Sequence, residues 1–152
     1  MANVCSEAGA LLVLDFSFRP HSELSTAYDA YEVLTSTGVS FIGIEDTGKT
    51  WATHDLKVGL TVTSDDIAGL THRLHDELLL NISPIVLWFL TELIGDTGRR
   101  GLSEVVRAPL QQHRDLIAGA LPQSSVSIQY ASPNVPLMVV DLSAAGLSLI
   151  HI

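Results

Sequence analysis

Apolar positions along the first part of the chain follow two spacings. Ala10–Leu14 is an unbroken apolar run that ends at Asp15, and Val39–Ile44 is a second, mostly apolar one. Runs of this kind predict strands buried on both faces, as in parallel sheets. Between them Leu24, Ala27, Tyr31 and Leu34 recur at helical spacing, with Ser22 ahead as N-cap and Gly38 just past the end. Strand, helix, strand in that order predicts a parallel, right-handed βαβ unit. Lys57–Thr63 reads as a third strand, and Asp65 and Asp66 open a helix running to about Leu80.

The pattern changes near Asp96. Ser83 and Pro84 form a cap with proline at the first helical position, and the strongly apolar helix they start is expected to run buried to Ile94. Gly95-Asp96-Thr97-Gly98 reads as a turn. A helix from Ser103 or Pro109 to Leu121 follows, then strands at Ser125–Tyr130 and Leu137–Leu142. The chain divides on this reading into residues 1–95, residues 96–147 and a tail, 148–152, that reads as non-native.

Composition narrows the function classes. Apolar residues make up 47% of 152 positions, enough for a core, and the formal charge is −9 with only 8 Lys and Arg. That balance opposes binding to nucleic acid or to an anionic membrane surface. The single Cys5 leaves no internal disulfide and fits a reducing, cytoplasmic setting. Met1–Ala10 has no basic region and carries Glu7, unlike a signal peptide. Leu78–Ile94 is interrupted by Asn81, Pro84 and Glu92, so it is not expected to span a bilayer. Asn81-Ile82-Ser83 has the form of a glycosylation sequon, but Pro84 follows and it reads as the loop before a helix.

Candidate chemistry lies at two strand ends. Open α/β sheets bind ligands beyond the carboxyl ends of their strands, where Asp15 stands. The second place is Glu45-Asp46-Thr47-Gly48-Lys49-Thr50-Trp51. From Gly43 to Thr50 the chain formally matches G-x-x-x-x-G-K-[ST]. The context opposes a phosphate cradle, because Gly43 falls inside a strand, Glu45 and Asp46 would repel a triphosphate, and no long helix clearly follows Thr50.

Asp15 at one strand end, Lys49 after the next strand and Lys57 eight residues later occur in the order found in fold-type-I enzymes dependent on pyridoxal phosphate (PLP). The stretch from Lys49 to Gly59 resembles the lysine-to-"LRVG" segment of class I/II aminotransferases, the aspartate aminotransferase superfamily. The resemblance covers roughly Leu11 to Leu142. It implies an α/β fold: part of a three-layer large domain with a mostly parallel sheet, then the start of a small α+β domain. It implies PLP as cofactor, with Lys49 forming the aldimine and acting as the catalytic amine. Asp15 would pair with the pyridine nitrogen and Lys57 with the phosphate. The substrate would be an amino acid, and the family's habit is a homodimer.

Departures from the pattern sharpen the reading. Lys57 stands where the family usually has Arg, and offers a point charge without the bidentate fork. Phe18 occupies the position of a ring-contacting Tyr, and Asp46 that of a phosphate-contacting Ser. Asp46 cannot favourably face a phosphate, so it is expected to meet a cation, such as the side chain of a basic substrate. The segment around Lys49 is most similar to PLP enzymes acting on arginine in non-proteinogenic amino-acid biosynthesis, some of which are oxidases or hydroxylases. The family's glycine-rich phosphate turn, its ring-stacking aromatic and its carboxylate-binding Arg have no counterpart here. The chain therefore reads as a fragment, either of a working enzyme or of one that keeps only the fold.

Other groups carry less. His72, His75 and Asp76 share a helix face that could ligate a metal but reads as solvated. Cys5 has no local partner for nucleophilic work, and Trp88 and Phe89 read as core or subunit interface. Arg99-Arg100 reads as an exposed turn.

Overall fold

The computed structural model describes residues 1–51, 53–78, 81–121, 125–132 and 135–145. The tail at 148–152 lies outside them. A short helix, α1 (Ala2–Glu7), precedes the first strand, where no element was expected. It ends at Gly9, whose φ of +59° turns the chain into β1 (Leu12–Asp15).

The expected single helix after β1 is two pieces. Ser22 does cap, its hydroxyl accepting from the Leu24 amide, but what it caps is a 3-10 turn, Glu23–Thr26. Asp29 then caps again, accepting from the amides of Tyr31 and Glu32, and starts α2 (Ala30–Ser36). An Asx cap competes well with helix continuation, and this restarts the helix at Ala30, one residue before Tyr31. Gly38, at φ +66°, ends it as the pattern predicts.

β2 (Phe41–Asp46) runs directly into α3 (Thr47–Trp51). A 3-10 turn at His54–Leu56 leads to β3 (Gly59–Thr63), and then follow α4 (Asp65–Leu78) and α5 (Pro84–Arg100). The strand order is β1-β2-β3. β1 pairs with β2 in parallel, from Leu12 opposite Phe41 to Asp15 opposite Ile44. β2 pairs with β3 antiparallel, from Ile42 opposite Thr63 to Asp46 opposite Gly59. The sheet is thus mixed, with one parallel pairing, and the mostly parallel three-layer arrangement is not seen among the described residues. The cause is the connection after β2: the Thr47 amide donates to the Val58 carbonyl at 3.1 Å, so the segment folds back on itself as a wide hairpin.

One sheet face is covered. Leu12, Leu34, Val39 and Phe41 form the buried cluster, with Ala2, Cys5, Leu14, Phe16 and Tyr31 packed around it. The Tyr31 ring lies edge-on to Phe16 at 5.5 Å and nearly stacked on Phe41 at 6.1 Å. Val13, Ile44, Leu60 and Val62 remain exposed, so these strands are not buried on both faces as their apolar runs suggest.

α5 also departs from expectation. Gly95 to Gly98 is helical, not a turn, because Asp96 pairs one turn on with Arg99 at 3.4 Å and Arg100 at 3.0 Å. Arg99 and Arg100 therefore sit in the last helical turn, where their charge suits the helix dipole, and the stop comes at Gly101, φ +89°. The helix is not buried throughout: Leu90 and Thr97 are, while Ile85, Trp88 and Ile94 are exposed. A π-helical turn at Ser103–Arg107 leads into α6 (Ala108–Ala120). β4 (Ser127–Ala131) and β5 (Met138–Asp141) form a separate antiparallel hairpin with an irregularity between Ile128 and Tyr130. Among the described residues no helix is long and apolar enough to cross a membrane.

Phe41 is 2% exposed at the centre of the cluster. Phe41→Ala is expected to cost about 3 kcal/mol, the lower end for a core Phe, because no large side chain of this small core is sealed completely. Urea unfolding of the two proteins measures it, and an unchanged midpoint would show that the cluster does not hold the sheet.

Candidate functional site

The parallel pairing of β1 and β2 brings both strand ends to one edge. Asp15 stands opposite Ile44, and β2 continues through Glu45 and Asp46 into α3, which carries Lys49. Asp15 is exposed there. Its Oδ1 accepts from the Ser17 amide at 2.9 Å. The Ser17 hydroxyl and amide, with a smaller contribution from the charge of Lys49, hold its carboxyl below the usual range. Asp15 is therefore an anion at neutral pH, within electrostatic reach of the Lys49 ammonium.

Four contacts fix α3, although it is only one turn long. Thr47, 3% exposed, donates its hydroxyl to the Val58 carbonyl at 3.0 Å and accepts from the Val58 amide at 2.8 Å. Asp46 Oδ1 accepts from the Gly48 amide at 2.9 Å. The buried His21 ring meets the Lys49 carbonyl through Nε2 at 3.1 Å. The Trp51 indole donates to the Thr97 hydroxyl at 2.9 Å, tying α3 to α5. Gly48 is required by closeness: a Cβ there would lie 2.7 Å from Cβ of Lys57. Lys57 and the turn bearing Lys49 are thereby pressed together.

The Lys49 amine lies 3.5 Å from Asp46 Oδ2 and 5.3 Å above the Phe18 ring. Phe18 thus meets the lysine by its π face. Asp46 does meet a cation, and that cation is Lys49. Glu45, the other acid at the end of β2, turns away from the lysine: it pairs with Arg19 at 2.7 Å and accepts from the Tyr31 hydroxyl at 2.9 Å. Arg19 also lies over the Phe16 and Tyr31 rings. Burial, helped by Glu45, raises the Tyr31 phenol far above its ordinary value, so it stays a hydrogen-bond donor. Gly43 gives this group room, since a Cβ would fall 2.6 Å from the Tyr31 ring. Gly43 thus sits mid-strand under a tyrosine, and Gly48-Lys49-Thr50 lies inside a helix of only five residues, so the resemblance to a phosphate-binding loop stops at the letters.

The structure brings Asp15, Asp46 and Lys49 together at the strand edge and packs the Lys57 stem against Gly48. Sequence reading missed His21, Thr47 and the Trp51–Thr97 bond, all of which hold Lys49 by its backbone or its neighbours. Their partners lie between 11 and 46 residues away, beyond any local pattern. On α4, His72 and His75 each approach Asp76 at 3.6 Å on an exposed face. Among the described residues no group of three or more His, Cys, Asp or Glu could hold a metal. Cys5 is half-buried against the core cluster.

Thr47→Val keeps the shape of the side chain but leaves the buried Val58 amide unpaired. It is expected to destabilise the protein by about 1–3 kcal/mol, while Thr47→Ser, which keeps the hydroxyl, costs less. Denaturant midpoints of the three proteins decide; equal midpoints for Thr47→Val and the parent would show that the hydroxyl carries no load.

No protein-family model and no curated protein matches the chain. Among solved structures it matches that of MppP soaked with the product 2-ketoarginine, at a TM-score of 0.73 and 36% identity, over 88% of this chain and 38% of that one. The chain thus spans 38% of the length of that neighbour, and its mixed α/β fold is one shared with part of MppP.

Proposed function

We propose that this chain is the lysine-bearing part of a PLP-dependent enzyme that acts on an amino acid, with arginine or a close analogue as substrate. The observation that carries the reading is the common strand edge: one anionic carboxylate, Asp15, and one amine, Lys49, brought together by parallel pairing. The donor set fits the cofactor. Lys49 supplies an amine for covalent attachment that is about two-fifths exposed and rigidly seated. Asp15 supplies an anion whose charge is secured by Ser17. Lys57, exposed beside Gly48, supplies positive charge for a phosphate.

When bound, PLP supplies an electron sink that stabilises negative charge developing at the substrate Cα. Asp15 would hold a proton on the ring nitrogen by a charge-assisted hydrogen bond, which would keep that sink effective. The Lys49 amine would be the group that holds the cofactor and, when free, the base that moves the substrate Cα proton. Asp46 pairs with the Lys49 amine, and with that amine engaged by the cofactor its carboxylate would be left for a cationic substrate tail. Glu45 takes no part, because Arg19 and Tyr31 hold it.

The neighbour's soaked product supports arginine as the substrate class. It leaves the reaction type open, because replacing the amino group of arginine by a carbonyl is the outcome of both transamination and oxidative deamination. An aminotransferase and an arginine oxidase or hydroxylase are thus supported equally.

The chain has two lysines, which makes the attachment point easy to read. After incubation with PLP and borohydride reduction, peptide mapping is expected to find the pyridoxyl group on Lys49. Label confined to Lys57, or no label, overturns the assignment.

An enzyme containing this segment is expected to turn over arginine in preference to alanine or aspartate. Oxygen uptake with ammonia release would mark an oxidase, and dependence on a keto acid a transaminase. Rapid turnover of aspartate with arginine ignored would remove the role given to Asp46.

A further inference from the structure

The turn from Phe18 to His21 touches Lys49 at both ends. The Phe18 ring lies 5.3 Å from its amine, and His21 Nε2 lies 3.1 Å from its carbonyl. That carbonyl stands in the last turn of α3, where helical carbonyls have no donor within the helix. A carbonyl can only accept, so His21 is the donor of this bond. The Phe18 and His21 rings lie 6.1 Å apart. Their turn is closed by bonds from the His21 amide to the Phe18 carbonyl at 3.1 Å and from the Ser22 amide to the Arg19 carbonyl at 3.0 Å.

Arg107 holds the chain on either side of His21. Its Nε donates to the Pro20 carbonyl at 3.2 Å. One terminal nitrogen donates to the Ser25 hydroxyl at 2.8 Å, and that hydroxyl donates in turn to the Ser22 carbonyl at 2.7 Å. The carbonyls of both neighbours of His21 are thus tied to one guanidinium, directly or through one hydroxyl. A planar fork with fixed N–H directions suits two fixed acceptors, and a lysine ammonium on a flexible stem does not reproduce it. Arg107 ends the π-helical turn at Ser103–Arg107, beside the buried Val106, so its own backbone is anchored. Among the described residues no ion pair includes Arg107, and its directional bonds go to the turn instead of an acid.

From this we infer that Arg107 is a positioning residue for Lys49: by fixing both neighbours of His21 it fixes the bond to the Lys49 carbonyl, and so the place of the Lys49 amine at the strand edge. The consequence for catalysis rests on Lys49 being the amine that attaches the cofactor. The position of the amine does not, and it can be read without cofactor. With the His21 bond loosened, α3 loses one of the contacts that seat it, and the amine leaves the space between Asp46 and Phe18. A neutral hydrogen bond of ordinary strength corresponds to a change of about fivefold.

The test uses the 152-residue chain and its two lysines. A limiting amount of acetic anhydride competes for the two amines, and peptide mapping gives the rate of acetylation at each, with Lys57 as internal standard. Arg107→Ala and His21→Leu are each expected to raise the Lys49-to-Lys57 ratio about fivefold. The double variant should raise it no further than the larger single effect, because both changes break one chain of contacts. His21→Gln, which returns an N–H donor, should keep the ratio within about twofold of the parent's. Should Arg107→Ala fail to fold, Arg107→Lys, which keeps the charge but not the fork, takes its place and should raise the ratio at least about twofold. An unchanged ratio in the Arg107 variants overturns the inference. So do effects that add in the double variant, a rise in His21→Gln as large as in His21→Leu, or a rise at Lys49 and Lys57 together, which marks a general loosening of the fold. Failure of PLP to attach to Lys49 bears on the proposed function alone.

Discussion

Thr47 and Val58 exchange three hydrogen bonds, two through one hydroxyl and one through the backbone, and both residues are buried. A buried amide and a buried hydroxyl are each costly when unpaired, so this exchange closes the segment after β2 more firmly than strand pairing alone would. Its closure sets the direction of β3, which returns antiparallel along β2. It also fixes how far Lys49 and Lys57 can separate, because both stand within two residues of the bonded pair. The chemistry at the strand edge therefore depends on a contact that itself touches no ligand.

The sequence revealed most where the signal was local. The apolar runs located β1 and β2, the order of elements gave the parallel pairing, and the strand ends gave Asp15 and Lys49. Boundaries set by competition were harder. Asp29 recaps the chain because its carboxylate offers the amides of Tyr31 and Glu32 a nearer partner than the helix does. Gly95 to Gly98 carries turn residues, yet Asp96, Arg99 and Arg100 lie at helical spacing, and tertiary anchoring of Thr97 by Trp51 keeps the helix running. Long-range partners such as His21 with Lys49 leave no local trace at all.

The two adjacent acids after β2 show why charge counted along a sequence misleads. Glu45 and Asp46 are neighbours, and strand geometry sends neighbouring side chains to opposite faces. Glu45 falls on the side of α2 and is neutralised there by Arg19 and by a tyrosine held in its protonated form. Asp46 falls on the side of α3, where one oxygen steadies Gly48 and the other faces Lys49. Of two formal charges, one remains at the site.

The same geometry ties the reactive edge to the turn after β1 through His21. His21 sits in a short 3-10 turn with Pro20, and both are buried because the chain must reverse there between β1 and α2. One ring nitrogen meets the Lys49 carbonyl at 3.1 Å. Arg107 reaches back across 87 residues to the Pro20 carbonyl, so the turn is gripped from its other side by the segment leading into α6. Burial, with the charges of Arg114 and Arg107 adding to it, makes a proton on this imidazole costly. Its position follows from the turn, and its neutrality from burial first and the arginine charges second.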